Sequence, residues 1–269
     1  NEIRKRLANG GAANGVEALL TEGSWYSDAL ASSIATAVRM PDSAWPSGFR
    51  TVLGALVEAD ASIRGLEEQA RTEDLDDRSL RRMRALNDAR DLAAEGIIEW
   101  LSRQDPAKLT SEIDAVVSAA LLAHKSPDPN TRAHVGKVVE SLGADAYDAL
   151  VAALDHEGPS MRAAAAQHLG RLGDERALNP LRELIGTEES FAALYELPVA
   201  LAGLSSPETV DALMSMLALR EDGSYVVGSG QARAEAIDQL AHKLASHPDR
   251  VADAIPVLLE RLGDDNGYV

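Results

Sequence analysis

One pattern recurs after thirty residues and constrains this chain more than anything else in it. Its first copy runs from Thr131 through Gly143 and its second from Met161 through Gly173. Arg132 matches Arg162, Leu142 matches Leu172, and Gly143 matches Gly173. Each copy leads into a second amphipathic segment, Tyr147 to Leu154 and Leu178 to Ile185. A unit of two short helices cannot bury its apolar face alone, so units with this period stack on one another. The expected fold class is all-α: an α-solenoid of antiparallel helix pairs, about twelve helices in all by the usual helix-pair spacing. Such a fold presents a binding surface more often than a catalytic pocket.

Two weaker copies follow. In the third, Leu201-Ala202-Gly203-Leu204-Ser205 stands where Leu169 to Gly173 stood, the arginine is missing, and Pro198 lies within the first helix. Its second helix opens at Ser206-Pro207-Glu208, a capping residue before a proline. The fourth begins at Ala232-Arg233 and continues through Leu244 and Val251 to Leu262. The units are thus expected at 128–157, 158–186, 188–220 and 228–263, with the start of a fifth at 264–269. No polar capping helix follows, and solenoid ends normally need one. Together with the absence of an initiator methionine at Asn1, this leads us to expect a piece of a longer protein.

Arg162 through Ile185, with Leu172-Gly173-Asp174 at the turn, resembles a HEAT-like repeat of the short phycobilisome-lyase type. Arg132 through Leu154 is similar to it. The resemblance covers about the C-terminal half. It implies stacked helix pairs whose second helices line a concave face. It says little of activity, because such repeats occur in scaffolds, lyase subunits, DNA-repair enzymes and metal-dependent hydroxylases.

Residues 1–125 are also helix-like but lack the clear period. Ser27 to Met40 carries Leu30, Ile34 and Val38 on one face. Helices are expected over Phe49 to Glu68, Ser79 to Leu101 and Leu109 to His124, separated by the charged stretch Arg71 to Asp77 and by Asp105-Pro106. This half reads as divergent hairpins or a helical bundle continuous with the solenoid; a separate globular domain is the alternative.

The formal net charge is −17 and the sequence pI about 4.7. Phosphate backbones need basic surface, so no nucleic-acid partner is expected. No apolar run reaches the ~18 residues of a membrane span. The chain has no cysteine, which removes disulfides, thiolate zinc sites and thiol catalysis. With no secretory signal visible, the expected location is the cytoplasm.

Candidate chemical sites reduce to structural features. The arginines Arg78, Arg81, Arg82, Arg84 and Arg90 alternate with acids at helical spacing, as on a solvated, salt-bridged face. Of the histidines, only His156-Glu157 repeats the His-Glu dipeptide of HEAT-like hydroxylases, and it falls in a turn. No metal site, cofactor or catalytic residue is assigned. Trp25, Trp45 and Trp100 are expected in helix packing, with an exposed partner anchor as the alternative. The segment Glu221 to Gly230 is an insertion between units, and its Tyr225 makes it a candidate contact loop.

Aligning the second helices places Leu150, Leu181, Leu213 and Leu258 at one core position, and Leu154, Ile185, Leu217 and Leu262 one turn on. Between them, Asp148, Asn179, Glu183, Asp211, Ser215 and Glu260 point to one face, small, polar and mostly acidic. That face suits a protein partner with a basic surface. The resulting expectation is a non-enzymatic scaffold mediating protein–protein interaction. The alternative is a HEAT-like enzyme or enzyme subunit, akin to a bilin lyase or an alkylated-base DNA glycosylase. The oligomeric state is not legible.

Overall fold

The computed structural model describes residues 47–124, 126, 129–219 and 224–261. The expected helix Ser27 to Met40, Trp25, Trp45, Leu262 and the fifth unit lie outside the described residues. The described residues form α-helices and short 3-10 turns, with no strand among them and one isolated bridge, Leu219 to Tyr225. They fall into two compact units divided between Leu142 and Gly143.

The first unit contains α1 (Ser47–Thr72), α2 (Asp77–Leu101), α3 (Ile113–Ala123) and α4 (Pro129–Leu142). Asp76 starts α2 by accepting the Ser79 N–H at 2.7 Å, and this bond, with help from the Arg78 charge, holds its carboxyl below the usual range. Helix α2 packs against α1, α3 and α4. Leu56, Ile63, Ile97, Ile98 and Leu101 make the centre of this core. The third expected helix is broken up. Asp105 caps a single turn, Pro106–Leu109, and a 3-10 turn, Thr110–Glu112, precedes α3. Thr110 and Ser111 donate their hydroxyls to the carbonyls of Ala107 and Lys108, local bonds that compete with a continuous helix.

The second unit contains α5 (Tyr147–Ala153), α6 (Pro159–Leu172), α7 (Leu178–Thr187), α8 (Phe191–Gly203), α9 (Thr209–Met216), α10 (Gly230–Ser246) and α11 (Val251–Arg261). First helices α6, α8 and α10 lie side by side. Second helices α7, α9 and α11 form the other layer, α7 beside α9 and α9 beside α11. Ala163 to Ala166 are all buried in α6, which packs closely against α8. Ser206 accepts the Glu208 N–H at 3.2 Å, and regular helix begins one residue later, at Thr209. Gly143 and Gly173 hold φ of 53° and 67°, the left-handed region that closes the first helix of a unit at little steric cost.

The repeat arginine has a defined task, which its recurrence signals but does not reveal. It is the fourth residue of the first helix and reaches back to the preceding turn. Arg132 donates to the Ser126 carbonyl at 2.6 Å. Arg162 donates to the carbonyls of His156 and Glu157 at 2.8 and 2.9 Å. Arg233 donates to those of Val227 and Gly228, both at 2.9 Å. In α8 the fourth residue is the buried Leu194. The turn before α8 instead holds Glu188, with its side chain 1% exposed. Its carboxylate accepts both Nε and Nη2 of Arg162, at 2.6 and 2.8 Å, and the N–H groups of Glu189 and Ser190.

Candidate binding face

The second helices carry the candidate face, so their register decides where it lies. Leu150, Leu181 and Leu213 are wholly buried, as the alignment requires. Leu258 departs from it and is only half-buried, because α11 is the last described helix and no described element covers its outer side. At the next core position Leu154, Ile185 and Leu217 are buried. The candidate residues sit two before or two after these core leucines. Four residues separate those places, which puts them on one side of an α-helix.

Asp148, Asn179, Glu183, Ser215 and Glu260 are exposed, and Asp211 is half-exposed. Asp211 is the member with a strong partner. Arg250, from the turn before α11, donates to its carboxylate at 2.5 Å, to Asp253 at 2.8 Å and to the Pro207 carbonyl at 3.3 Å. This bridge ties the third pair to the fourth and neutralises part of the acidic row. Ser215 turns its hydroxyl onto the Ala212 carbonyl at 2.6 Å, and Glu260 accepts from Arg261 at 3.0 Å. Beside the row, Arg176 lies 4.0 Å from the centre of the Tyr147 ring while bonding Asp174. Desolvation, together with the carboxylates of Asp174 and Asp148, raises the Tyr147 phenol above its ordinary value against the opposing charge of Arg176.

The other sequence candidates occupy structural places. Tyr225 is half-buried, with the Arg233 guanidinium 3.6 Å from its ring centre and that of Arg261 at 5.1 Å. The Val226 N–H donates to the Ala218 carbonyl at 2.9 Å, closing the base of its loop. The His156-Glu157 dipeptide forms a turn. The His156 ring accepts the Gly158 N–H at 2.9 Å while Arg162 holds both backbone carbonyls. Among the described residues no group of three or more potential ligands could hold a metal ion. Trp100 is half-buried. In the arginine-rich stretch, Arg90 pairs with Asp91 at 2.8 Å and with Asp60 of α1 at 3.6 Å.

Sequence reasoning did not single out Glu175. Its carboxylate accepts the N–H groups of Ser205 and Ser206, at 2.6 and 3.0 Å, one unit further on. Lys243 donates to the Leu204 carbonyl of the same turn from the other side. A carboxylate thirty residues before a serine pair is the only trace this leaves in the sequence.

The HEAT-repeat family model matches residues 117–197, which include helices α4 to α7 and parts of α3 and α8. No curated protein matches the chain. No helix among the described residues is long and apolar enough to cross a membrane.

Proposed function

We propose that this HEAT-repeat chain is a non-enzymatic scaffold that binds a basic segment of a protein partner along its second helices. HEAT repeats are commonly protein-interaction scaffolds. The observation that supports the reading is the division of labour among the polar side chains. Arg132, Arg162, Arg233, Glu175 and Glu188 are engaged in bonding turns and successive units together. Asp148, Asn179, Glu183 and Glu260 stay exposed on the second helices, where the repeat register would put them on one face. Four carboxylates there, with Arg250 facing Asp211 and Arg261 beside Glu260, leave it acidic, and complementary charge would steer a lysine- or arginine-bearing segment to it. A cytoplasmic location suits such a scaffold.

The test is a double variant, Asp148→Lys and Glu183→Lys, which leaves the Asp211–Arg250 and Glu260–Arg261 pairs intact. Exposed substitutions away from structural features usually change stability by only about 0.5 kcal/mol. The thermal melt should therefore hold while partners captured by the wild-type chain are lost. Retention of every partner by a folded variant would remove this face from consideration.

A further inference from the structure

A second surface departs from the repeat pattern. At the fifth and ninth positions of the first helix, α4 carries Ala133 and Lys137, α6 carries Ala163 and Gln167, and α10 carries Ala234 and Asp238. Helix α8 carries Tyr195 and Val199 there, with Phe191 one turn earlier. These three side chains are 51%, 39% and 39% exposed for Phe191, Tyr195 and Val199. The Phe191 and Tyr195 rings stand 5.7 Å apart, centre to centre. The rest of α8 is mostly apolar too, with Leu194, Leu197 and Leu201 buried. A helix that is apolar all round is normally covered all round.

The stripe is not a stacking surface awaiting another repeat. Helices α6 and α10 already flank α8, and α7 and α9 pack against it. In this it differs from the exposed Val251, Ile255 and Leu259 of α11, the last described helix.

The rim of the stripe is acidic. Glu189 is exposed just before Phe191. Glu196, the sixth residue of α8, accepts from Gln167, the ninth of α6, at 3.1 Å. On the flanking α10, Asp238 is exposed and Glu235 accepts from Gln239 at 2.9 Å. The guanidinium of Arg162 is taken up by Glu188. The structure thus offers apolar anchors with carboxylates beside them.

We propose that the Phe191–Tyr195–Val199 stripe docks an amphipathic helical segment of a partner protein, with aliphatic residues on one face and lysine or arginine flanking them. From Phe191 to Val199 is about 12 Å at ~1.5 Å per residue, so the stripe would meet two turns of such a helix. The surface lies on the first helices and is independent of the acidic row on the second helices.

The test uses the full chain and a fluorescein-labelled leucine–lysine amphipathic peptide of about fourteen residues, roughly four turns. Its leucine–glutamate counterpart is the control. Anisotropy is read at ~0.15 M salt, where charges beyond ~8 Å are screened. The leucine–lysine peptide should bind saturably and the leucine–glutamate peptide should not. Phe191→Ser with Tyr195→Ser should weaken binding about tenfold or more, as loss of aromatic anchors does. Tyr195→Lys alone should do the same and serves as the reporter if the double variant does not fold. Asp148→Lys with Glu183→Lys should leave this binding within about twofold, since those charges sit on second helices and not on α8. Absence of binding, or equal binding to folded Tyr195→Lys, would overturn the proposal. So would self-association of the wild-type chain that Tyr195→Lys abolishes, which would assign the stripe to a second copy. Loss of binding in the acidic-row variant alone would assign the peptide to the second-helix face instead.

Discussion

The crossing of α6 and α8 makes a sharp prediction about two glycines. A Cβ placed on Gly170 would stand 2.5 Å from Ala200 Cα, 2.6 Å from its carbonyl oxygen and 2.9 Å from its carbonyl carbon. A Cβ on Gly203 would run into the Gly170 carbonyl, with its carbon at 2.7 Å. All of these neighbours are backbone atoms, so no rotamer change relieves the overlap. Ordinary carbon contacts begin at about 3.5 Å, so alanine at either place must push the helices apart by about 1 Å. Alanine gains ~0.8–1 kcal/mol of helix propensity over glycine, but overpacking costs typically 1–3 kcal/mol and more when backbone must move. Separating the helices also loosens the buried Leu169, Leu197 and Leu201 beside the crossing. We expect Gly203→Ala and Gly170→Ala each to lose about 1–3 kcal/mol net.

Gly186, near the end of α7, provides the internal control, because a Cβ there meets nothing within 4 Å. Gly186→Ala should be neutral or stabilise by up to about 0.5–1 kcal/mol. The assay is urea unfolding followed by circular dichroism at constant pH. The double variant should lose less than the sum of the two singles, because one separation of the helices relieves both overlaps. Equal stability of Gly203→Ala and wild type, or simple additivity of the two crossing variants, would refute the close-contact argument.

Leu181→Ala should cost about 2–5 kcal/mol in the same assay, whereas Leu258→Ala, at a half-buried site, should cost about 1 kcal/mol; equal losses would show that the fourth unit is covered like the second. Arg162→Met should cost about 3–5 kcal/mol, because it leaves the buried Glu188 carboxylate without its cation. For Glu188, burial pushes the carboxyl up, but the Arg162 bonds and charge and the Ser190 and Glu189 N–H groups outweigh it and hold it below its ordinary value. Its stabilising contribution is therefore complete above the unfolded carboxyl value of ~4.3 and is lost as pH falls through the lower folded value. Thermal melts between about pH 5 and 3 should fall more steeply for wild type than for Glu188→Gln. With a net charge of −17, the chain should not bind duplex DNA with submicromolar, salt-sensitive affinity in an anisotropy titration.

What the sequence reveals and conceals here follows from which interactions are local. The second-helix register was legible because leucines at one repeat position must all face the same layer, and burial of Leu150, Leu181 and Leu213 follows from that spacing alone. Helix α2 was legible to within two residues because Asp76 caps it locally. The break between Leu109 and Ile113 was not, because an apolar periodicity continues across hydroxyls that bond their own backbone. The repeat arginine was visible as a recurrence but not as a device, since its partners are carbonyls, which carry no sequence signal. Glu188 was invisible for a related reason: it replaces the arginine's role from the turn rather than from the helix.

The candidate surfaces show the same division. The acidic row could be read from spacing because it repeats. The α8 stripe could not, because it exists by departing from the repeat. Pro198 and the missing arginine marked the third unit as degenerate, which hides the fact that its apolar residues are distributed, not random. Phe191, Tyr195 and Val199 share one face at four-residue spacing and are exposed, while Leu194, Leu197 and Leu201 are buried. A unit that merely decays should lose apolar residues from the core as readily as it gains them outside. Helix α8 keeps its full core and the tight glycine crossing with α6 while adding exposed aromatics. In a stacked-repeat protein, the position that breaks the pattern without loosening the packing is where a partner-specific surface is to be sought.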